Sequence, residues 1–117
     1  MTKTVFYLKT CSTCKRIMQD LDLSDWNLRE IKSEPINAKE LSQMYAVTKS
    51  YEELFSKRST QIKTNNIDVK KLKEEDFKTL LLQHYSFLKR PVFLVGKEDI
   101  YIGNSPKTIE ALQQKYF

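Results

Sequence analysis

Near the start of the chain, the hydrophobic and polar positions change from a strand-like to a helix-like pattern and back. Residues 4–9 are rich in β-forming types and apolar enough for a buried strand. From Lys15 the pattern is helical, with Ile17, Met18 and Leu21 on one face, and residues 26–31 predict a second strand. This order predicts a βαβ unit with parallel strands and a right-handed crossover.

The middle of the chain has helical patterning. Asn37 and Glu40 have the spacing of a capping box, and Ser50 with Glu53 repeats the signal for a shorter helix. The polar residues 56–69 predict a short helix mixed with loop. A further amphipathic helix is predicted from the apolar positions Leu72, Phe77, Leu80, Leu81 and Tyr85. We therefore expect a helical insert at about residues 36–88.

The last part of the chain returns to strands. Residues 92–95 and 100–102 predict the two arms of a hairpin around a turn at 96–99. Ser105 and Pro106 then begin a closing helix, of which residues 115–117 are expected to be the frayed end. The pattern predicts one α/β domain over residues 1–117, in the order βαβ, helical insert, ββα, with a four-stranded mixed sheet.

Composition agrees with a globular domain. The chain has 117 residues and 13.9 kDa, with 40% apolar and 30% charged residues and a mean hydropathy of -0.54. No apolar run approaches the roughly 20 residues of a membrane span, and residues 5–8 are too short for the apolar core of a signal peptide. We expect no membrane association and no secretion.

The chain is basic, with a formal net charge of +5 and a pI near 9.2. This charge suits anionic partners from small oxyanions to nucleic acid, and a merely solvated surface is the alternative. The tightest basic cluster, residues 70–73, is followed directly by the acidic residues 74–76. Such an acidic run argues against a duplex-binding helix.

The two cysteines, Cys11 and Cys14, form a Cys-x-x-Cys motif between the first strand and helix. A disulfide across so small a loop would add little stability, and a zinc site lacks ligands because His84 is the only histidine. These arguments leave a redox pair in a reducing, cytoplasmic compartment. The alternative is two incidental thiols, with Cys14 a small core residue.

The position of the motif predicts different roles for the two thiols. A thiol beside the first turn of a helix faces main-chain N–H groups without partners and the positive end of the helix dipole, which favour the thiolate. Lys15 and Arg16 add positive charge nearby. We expect Cys11 to be the exposed nucleophile and Cys14 to attack a sulfur adduct on Cys11 and release it.

Pro91 directly precedes the third predicted strand. Proline is normally found there only at a strand start or bulge. A cis Arg90–Pro91 bond opposite the thiols would let a main-chain edge face a bound partner, and a trans turn proline is the alternative.

The whole chain resembles the arsenate reductase (ArsC)/Spx family of thioredoxin-like proteins. The resemblance rests on the strand before Cys11-Ser12-Thr13-Cys14, on Lys57-Arg58-Ser59, on the run from Phe87 through Arg90-Pro91 to Val95, and on Ile102-Gly103-Asn104. It implies a thioredoxin-like sheet with a helical insert between its halves. It also implies a substrate site formed by Ser12, Thr13, Lys15, Arg58, Arg90 and Pro91 around Cys11.

The resemblance implies two kinds of function. In the arsenate reductases the first cysteine attacks arsenate, which arginines hold, and Arg58 and Arg90 match two of these arginines. A third arginine is missing from residues 103–105, and Lys15 stands where the family has a basic residue four after the nucleophile. The second cysteine is typical instead of Spx-type regulators, which use Cys-x-x-Cys as a redox switch and bind RNA polymerase.

We therefore expect a monomeric, cytoplasmic thiol oxidoreductase acting on a small oxyanion or a thiol substrate. Its electrons would come from glutathione or from a thioredoxin or glutaredoxin, with no bound cofactor and no metal. The alternative is a redox-switched regulator that binds RNA polymerase through the same cysteine pair.

Overall fold

The structure is a computed structural model that describes residues 2–117, and it contains a four-stranded sheet and six α-helices within that range. In chain order the elements are β1 (Lys3–Tyr7), α1 (Ser12–Gln19), β2 (Asn27–Glu30), α2 (Ala38–Thr48), α3 (Tyr51–Leu54), α4 (Thr60–Thr64), α5 (Glu74–Gln83), β3 (Val92–Val95), β4 (Asp99–Ile102) and α6 (Pro106–Tyr116). Short 3-10 turns lie at Val69–Lys71 and Tyr85–Phe87. The contacts divide the chain into two compact units, residues 2–34 with 90–117, and Pro35–Lys89.

The first unit contains the sheet, with strand order β2-β1-β3-β4. β1 pairs with β2 in parallel and with β3 in antiparallel, and β3 and β4 form the antiparallel hairpin. Gly96, with a φ of 53°, occupies the left-handed conformation that the turn between β3 and β4 requires. The predicted α/β class and the mixed four-stranded sheet are confirmed.

One face of this sheet carries the core of the first unit. Val5 of β1 lies opposite Phe93 of β3, and side chains of α1 and α6 pack against the face they share. Trp26 contacts Phe93 edge-on, with 5.5 Å between the ring centroids. The buried cluster consists of Val5, Ile17, Trp26, Phe93, Val95 and Leu112. Met18 and Leu21, predicted on the same face as Ile17, are partly buried against this cluster.

The prediction that residues 115–117 fray is wrong. Lys115 forms a 2.7 Å ion pair with Asp99 of β4, and the Tyr116 hydroxyl donates a hydrogen bond to the same carboxylate. Phe117 stacks on Trp26 with 5.7 Å between centroids. The three side chains therefore attach the end of α6 to the rest of the first unit, through partners that lie far away in sequence.

The second unit is helical. Asn37 and Glu40 form the predicted capping box at the start of α2, and Ser50 caps α3 by accepting a hydrogen bond from the Glu53 N–H. Phe55 lies against Phe77 and Phe87, with centroid distances of 4.9 and 5.3 Å. These contacts build an aromatic core within the unit.

Several predicted boundaries differ from the structure: the two strands predicted over 4–9 and 26–31 are Lys3–Tyr7 and Asn27–Glu30, and two helices differ as well. α1 begins at Ser12 rather than Lys15, so the Cys-x-x-Cys segment is the helix start and not a separate turn. α5 ends at Gln83, and Tyr85 lies in the following 3-10 turn, where it stacks on His84. His84 caps that turn by accepting a hydrogen bond from the Ser86 N–H, which interrupts the helix before Tyr85.

The longest helices among residues 2–117 have 11 residues. None of the helices in this range is long and apolar enough to cross a bilayer.

Candidate thiol site

Cys11 is the N-cap residue of α1. Its main chain is extended, with φ −86° and ψ 111°, and its N–H donates to the Leu8 carbonyl oxygen at 3.0 Å. Its own carbonyl oxygen accepts the first helical hydrogen bond, from the Lys15 N–H at 3.1 Å. No oxygen side chain caps the start of α1, and the Cys11 sulfur lies at the N–H groups of its first turn, those of Thr13 and Cys14.

Cys14 follows in the first turn of α1. Its side chain is fully buried, whereas Cys11 is partly exposed, and both are free thiols. The two thiols act on each other, with Cys14 as the donor toward the Cys11 sulfur, which lowers the pKa of Cys11 and raises that of Cys14. The helix start therefore places an accessible sulfur next to a buried one.

The Cys11 thiol has a pKa below its ordinary value. Partial burial raises this pKa, but hydrogen bonds from the Cys14 main chain, the Cys14 thiol and the Thr13 main chain outweigh the burial. The positive charge of Arg90 lowers the pKa further. Each of these groups stabilises the thiolate, which is the nucleophilic form of cysteine.

The Cys14 thiol is in the opposite situation, with a pKa raised to about 11. Burial is the largest cause, and the hydrogen bond to Cys11 and the negative charge of the Cys11 thiolate add to it. A main-chain hydrogen bond from Leu8 and the charge of Arg90 lower the pKa only in part. At neutral pH, Cys14 is therefore the protonated member of the pair.

Arg90 and Pro91 precede β3, within the same unit as the thiols. Arg90 is half-buried and supplies the positive charge that acts on both sulfurs. Pro91 is buried, the Arg90–Pro91 peptide bond is cis, and the Pro91 carbonyl oxygen accepts from the Gly103 N–H at 2.9 Å. Residues 103–105, where the third family arginine is missing, thus begin beside Pro91.

The other predicted site residues of the loop have different surroundings. Ser12 and Lys15 are exposed on α1, and Thr13 is partly buried and contributes its main-chain N–H to Cys11. Arg16 is also exposed. The first turn of α1 therefore supplies main-chain hydrogen bonds to the Cys11 thiolate.

Arg58 belongs to the second unit, where it is exposed just before α4. The next residue, Ser59, caps α4 by accepting from the Gln61 N–H at 3.2 Å. The Ser59 and Ser86 hydroxyls are 2.6 Å apart, and the Ser86 hydroxyl lies 2.8 Å from Nδ1 of His84. Because Nδ1 also accepts from the Ser86 N–H, we assign the Ser86 hydroxyl as its donor. This chain of hydrogen bonds holds the Arg58–Ser59 segment within its unit.

The sequence pattern missed Glu30, the last residue of β2. One carboxylate oxygen accepts from the Lys9 N–H at 2.8 Å, two residues before Cys11. The other oxygen accepts from the N–H groups of Lys32 at 3.0 Å and Ser33 at 2.6 Å. A single glutamate at a strand end has no sequence signal for this role, because its partners are main-chain groups.

The part of the chain that the structure describes contains no group of three or more histidine, cysteine, aspartate and glutamate side chains arranged to hold a metal ion.

Comparison with known proteins places this geometry in a family. A family model described as the ArsC family matches residues 6–112. The chain is 29% identical over 111 residues to the global transcriptional regulator Spx of Streptococcus agalactiae serotype V, covering 92% of this chain and 80% of that protein.

Solved structures share the fold. The ArsC family related protein from Bacteroides fragilis superposes with a TM-score of 0.77 at 21% identity, covering 96% of this chain and 98% of that chain. The arsenate reductase from Vibrio cholerae gives a TM-score of 0.73 at 15% identity, covering 95% and 97%. At such low identity the two structures show a common fold alone. The family match over residues 6–112 is what identifies the relationship, and the chain belongs to the ArsC family.

Proposed function

We propose that the chain is a thiol-dependent oxidoreductase in which Cys11 is the nucleophile and Cys14 resolves the adduct. The contrast between the two thiols carries the proposal, because the pKa of the accessible Cys11 is lowered while that of the buried Cys14 is raised to about 11. Of the two sulfurs, Cys11 is therefore both the accessible one and the one with the larger thiolate fraction, and it is the one that an incoming electrophile meets.

With a disulfide substrate, the Cys11 thiolate attacks one sulfur and expels the other as a thiolate, which forms a mixed disulfide. Cys14 then loses its proton to solvent and attacks the Cys11 sulfur, which releases the second substrate thiol. The products are two substrate thiols and a Cys11–Cys14 disulfide. An external dithiol or two glutathione molecules return the two electrons and restore both thiols.

The adduct itself helps the resolving step. The negative charge of Cys11 and its hydrogen bond both raise the Cys14 pKa, and both are lost once the Cys11 sulfur is covalently bonded. The Cys14 pKa then falls, although burial still holds it above its ordinary value. Cys14 is thus activated only when there is an adduct to resolve.

Arsenate is the oxyanion that the resemblance indicates. The Cys11 thiolate would displace a hydroxide or water from the As(V) centre, and attack by Cys14 on the Cys11 sulfur would expel arsenite. The arsenic gains the two electrons that the two thiols lose in forming their disulfide. Arg58 and Arg90 would hold the oxyanion, since guanidinium groups bind such anions through paired hydrogen bonds.

The deciding experiment supplies arsenate with glutathione and glutaredoxin in one assay and with a thioredoxin system in another. We expect turnover in at least one assay, and its loss in Cys11→Ser, because a hydroxyl is a far poorer nucleophile than a thiolate. Disulfide substrates are measured in parallel. An absence of turnover with both substrate classes and both reductants would contradict the proposal.

The two arginine assignments are tested by binding. Arg58→Ala and Arg90→Ala should each weaken arsenate, sulfate or phosphate binding by about 1.5–3 kcal/mol, the loss expected for a hydrogen bond to a charged group. Isothermal titration measures this, with Lys97→Ala, at an exposed position in the turn between β3 and β4, as the control for the loss of one positive charge. Unchanged affinity in both arginine variants would refute these roles.

A redox-switched regulator is the second candidate. The 29% identity to proteins named global transcriptional regulator Spx and the presence of a second cysteine favour it. In that case formation of the Cys11–Cys14 disulfide would change the affinity for RNA polymerase, and neither thiol would support turnover.

A further inference from the structure

We infer that Glu30 is a positioning residue for the thiol site: from the end of β2, its carboxylate fixes the main chain of residues 8–11, the loop that leads into Cys11 and the start of α1. The inference rests on the proposed role of Cys11 as the reactive thiol. Glu30 itself contacts neither sulfur, and its action passes through the main chain of residues 8–11.

The carboxylate joins two segments of the first unit. On one side it accepts from Lys9, in the loop between β1 and α1, at 2.8 Å. On the other side it accepts from Lys32 and Ser33, in the turn that follows β2, at 3.0 and 2.6 Å. Next to it, the Ile31 N–H donates to the Tyr7 carbonyl oxygen at 2.9 Å and continues the parallel pairing of the strands. The main-chain hydrogen bonds between β1 and β2 end here, and beyond them the Glu30 side chain joins the two segments by its bond to Lys9.

Lys9 lies inside the turn that positions Cys11. That turn is closed by the hydrogen bond from the Cys11 N–H to the Leu8 carbonyl oxygen at 3.0 Å. The Leu8 main chain also donates to the Cys14 sulfur. Fixing the Lys9 N–H thus fixes both ends of this short segment, the Leu8 donor and the Cys11 N-cap.

A carboxylate can join the two segments because both of its oxygens accept hydrogen bonds, one from Lys9 and the other from Lys32 and Ser33. Burial raises the pKa of Glu30, but the hydrogen bonds from Lys9, Ser33 and Lys32 outweigh the burial and keep the group ionised. An amide of the same shape has one acceptor and one donor end. If a glutamine oxygen takes the two donors of the turn, its NH₂ group faces the Lys9 N–H, and the link to the thiol loop is lost.

The test compares Glu30→Gln with Glu34→Gln and measures the pKa of Cys11 from the pH dependence of alkylation. Glu34 is a matched control, because it lies in the same segment but its exposed carboxylate pairs with Arg29 at 3.2 Å. In Glu30→Gln we expect the Cys11 pKa to rise by about half a unit or more, and the alkylation rate at pH 7 to fall by about threefold or more. Glu34→Gln should leave both unchanged.

Amide hydrogen exchange in the unmodified protein provides an independent measurement. The Lys9 N–H should be protected at neutral pH, because it donates to Glu30, and should lose this protection in Glu30→Gln. If Glu30→Gln does not fold, Glu30→Asp replaces it, since the shorter side chain keeps the charge but loses reach, and the same shift of the Cys11 pKa is expected.

The outcomes separate this inference from the proposed function. An ordinary Cys11 pKa in the unmodified protein contradicts the proposed nucleophile and the inference together. A lowered pKa that stays the same in the Glu30 variant, or a Lys9 amide that exchanges without protection, overturns the role of Glu30 alone. A shift in the Glu30 variant that Glu34→Gln reproduces overturns it as well.

Discussion

At the scale of single residues, Cys11 and Cys14 have different acidities because they occupy different positions in one helix turn. The N-cap position gives Cys11 partial exposure and main-chain hydrogen bonds, whereas the third helical position buries Cys14 completely. The hydrogen bond between them links the two titrations, since the proton that Cys14 keeps is the one that stabilises the Cys11 thiolate.

This link predicts the behaviour of a Cys14 variant. Cys14→Ala removes the thiol donor and should raise the Cys11 pKa, whereas Cys14→Ser, whose hydroxyl can still donate, should raise it less. Alkylation over a pH series, followed by peptide mapping, measures the pKa at each sulfur. In the unmodified protein Cys11 should react first at neutral pH. Faster labelling of Cys14, or an unchanged Cys11 pKa in Cys14→Ala, would contradict this account.

At the scale of elements, the sequence predicted the features that depend on near neighbours. The capping box at Asn37 and the N-cap at Ser105 are both present, because their partners lie three residues away. The parallel pair of β1 and β2 and the hairpin of β3 and β4 are both present as predicted, whereas the antiparallel pairing of β1 with β3 had no signal in the sequence. The assignments of the substrate-site residues stay predictions, with Arg58 and the thiols in separate units.

The missed features depend on residues far apart in the chain. Glu30 acts on Lys9, 21 positions away, and Tyr116 donates to Asp99, 17 positions away. Neither contact leaves a periodic pattern, because each involves one side chain and one distant partner. The sequence pattern predicts the start of α1 three residues too late, because cysteine is a weak N-cap signal compared with serine, threonine, aspartate or asparagine.

The segment after β4 gives an element-scale prediction for the anion site. Gly103 has a φ of 86°, which disfavours a side chain, and Ser105 caps α6, so Asn104 is the position that can accept an arginine. Asn104 is exposed, and Gly103 is hydrogen bonded to Pro91. If the chain binds arsenate, Asn104→Arg should tighten binding by about 1.5–3 kcal/mol. Titration calorimetry tests this, with Asn104→Lys as the control for charge alone.

At the scale of the whole molecule, pH affects stability through a few carboxylates with lowered pKa values. Hydrogen bonds from Lys115 and Tyr116 lower the pKa of Asp99, and the pKa of Tyr116 rises to about 12. The stability from Asp99 is therefore present above its unfolded pKa of about 3.9 and is lost as the pH falls through its lower folded pKa. The contribution from Tyr116 is present below its unfolded pKa of about 10 and is lost as the pH rises toward 12.

Tyr116→Phe tests this attachment of α6. Removing the hydroxyl should lower the free energy of unfolding at pH 7 by about 0.5–1.5 kcal/mol, the usual contribution of a hydrogen bond. The difference from the unmodified protein should shrink below the folded pKa of Asp99, because protonation removes the charge that accepts the bond. Urea unfolding along a pH series from 7 down through the acid titration of Asp99 measures both effects. A difference that stays equal throughout the series would show that lost packing, and not the bond to Asp99, is responsible.

The choice between enzyme and regulator also belongs to the whole molecule, since the same thiol pair serves both. Oxidation of a regulator would replace the hydrogen bond between Cys11 and Cys14 by a covalent bond and remove the Cys11 thiolate charge. An enzyme would use the same disulfide only as a transient state that a reductant clears. The net charge of +5 suits both an oxyanion and an acidic protein surface.

A capture experiment with oxidised and reduced protein distinguishes the two. From the proposed oxidoreductase function we expect equal, low recovery of RNA polymerase subunits in both states, together with turnover that Cys11→Ser abolishes. Cys14→Ser should instead accumulate a mixed disulfide, because only the resolving step is lost. Recovery of RNA polymerase that depends on the redox state, that disappears in Cys11→Ser and that is accompanied by no reductase activity would assign the cysteine pair to a switch. In that case the lowered Cys11 pKa would set the sensitivity of the switch to oxidants, because the thiolate is also the form that oxidants attack.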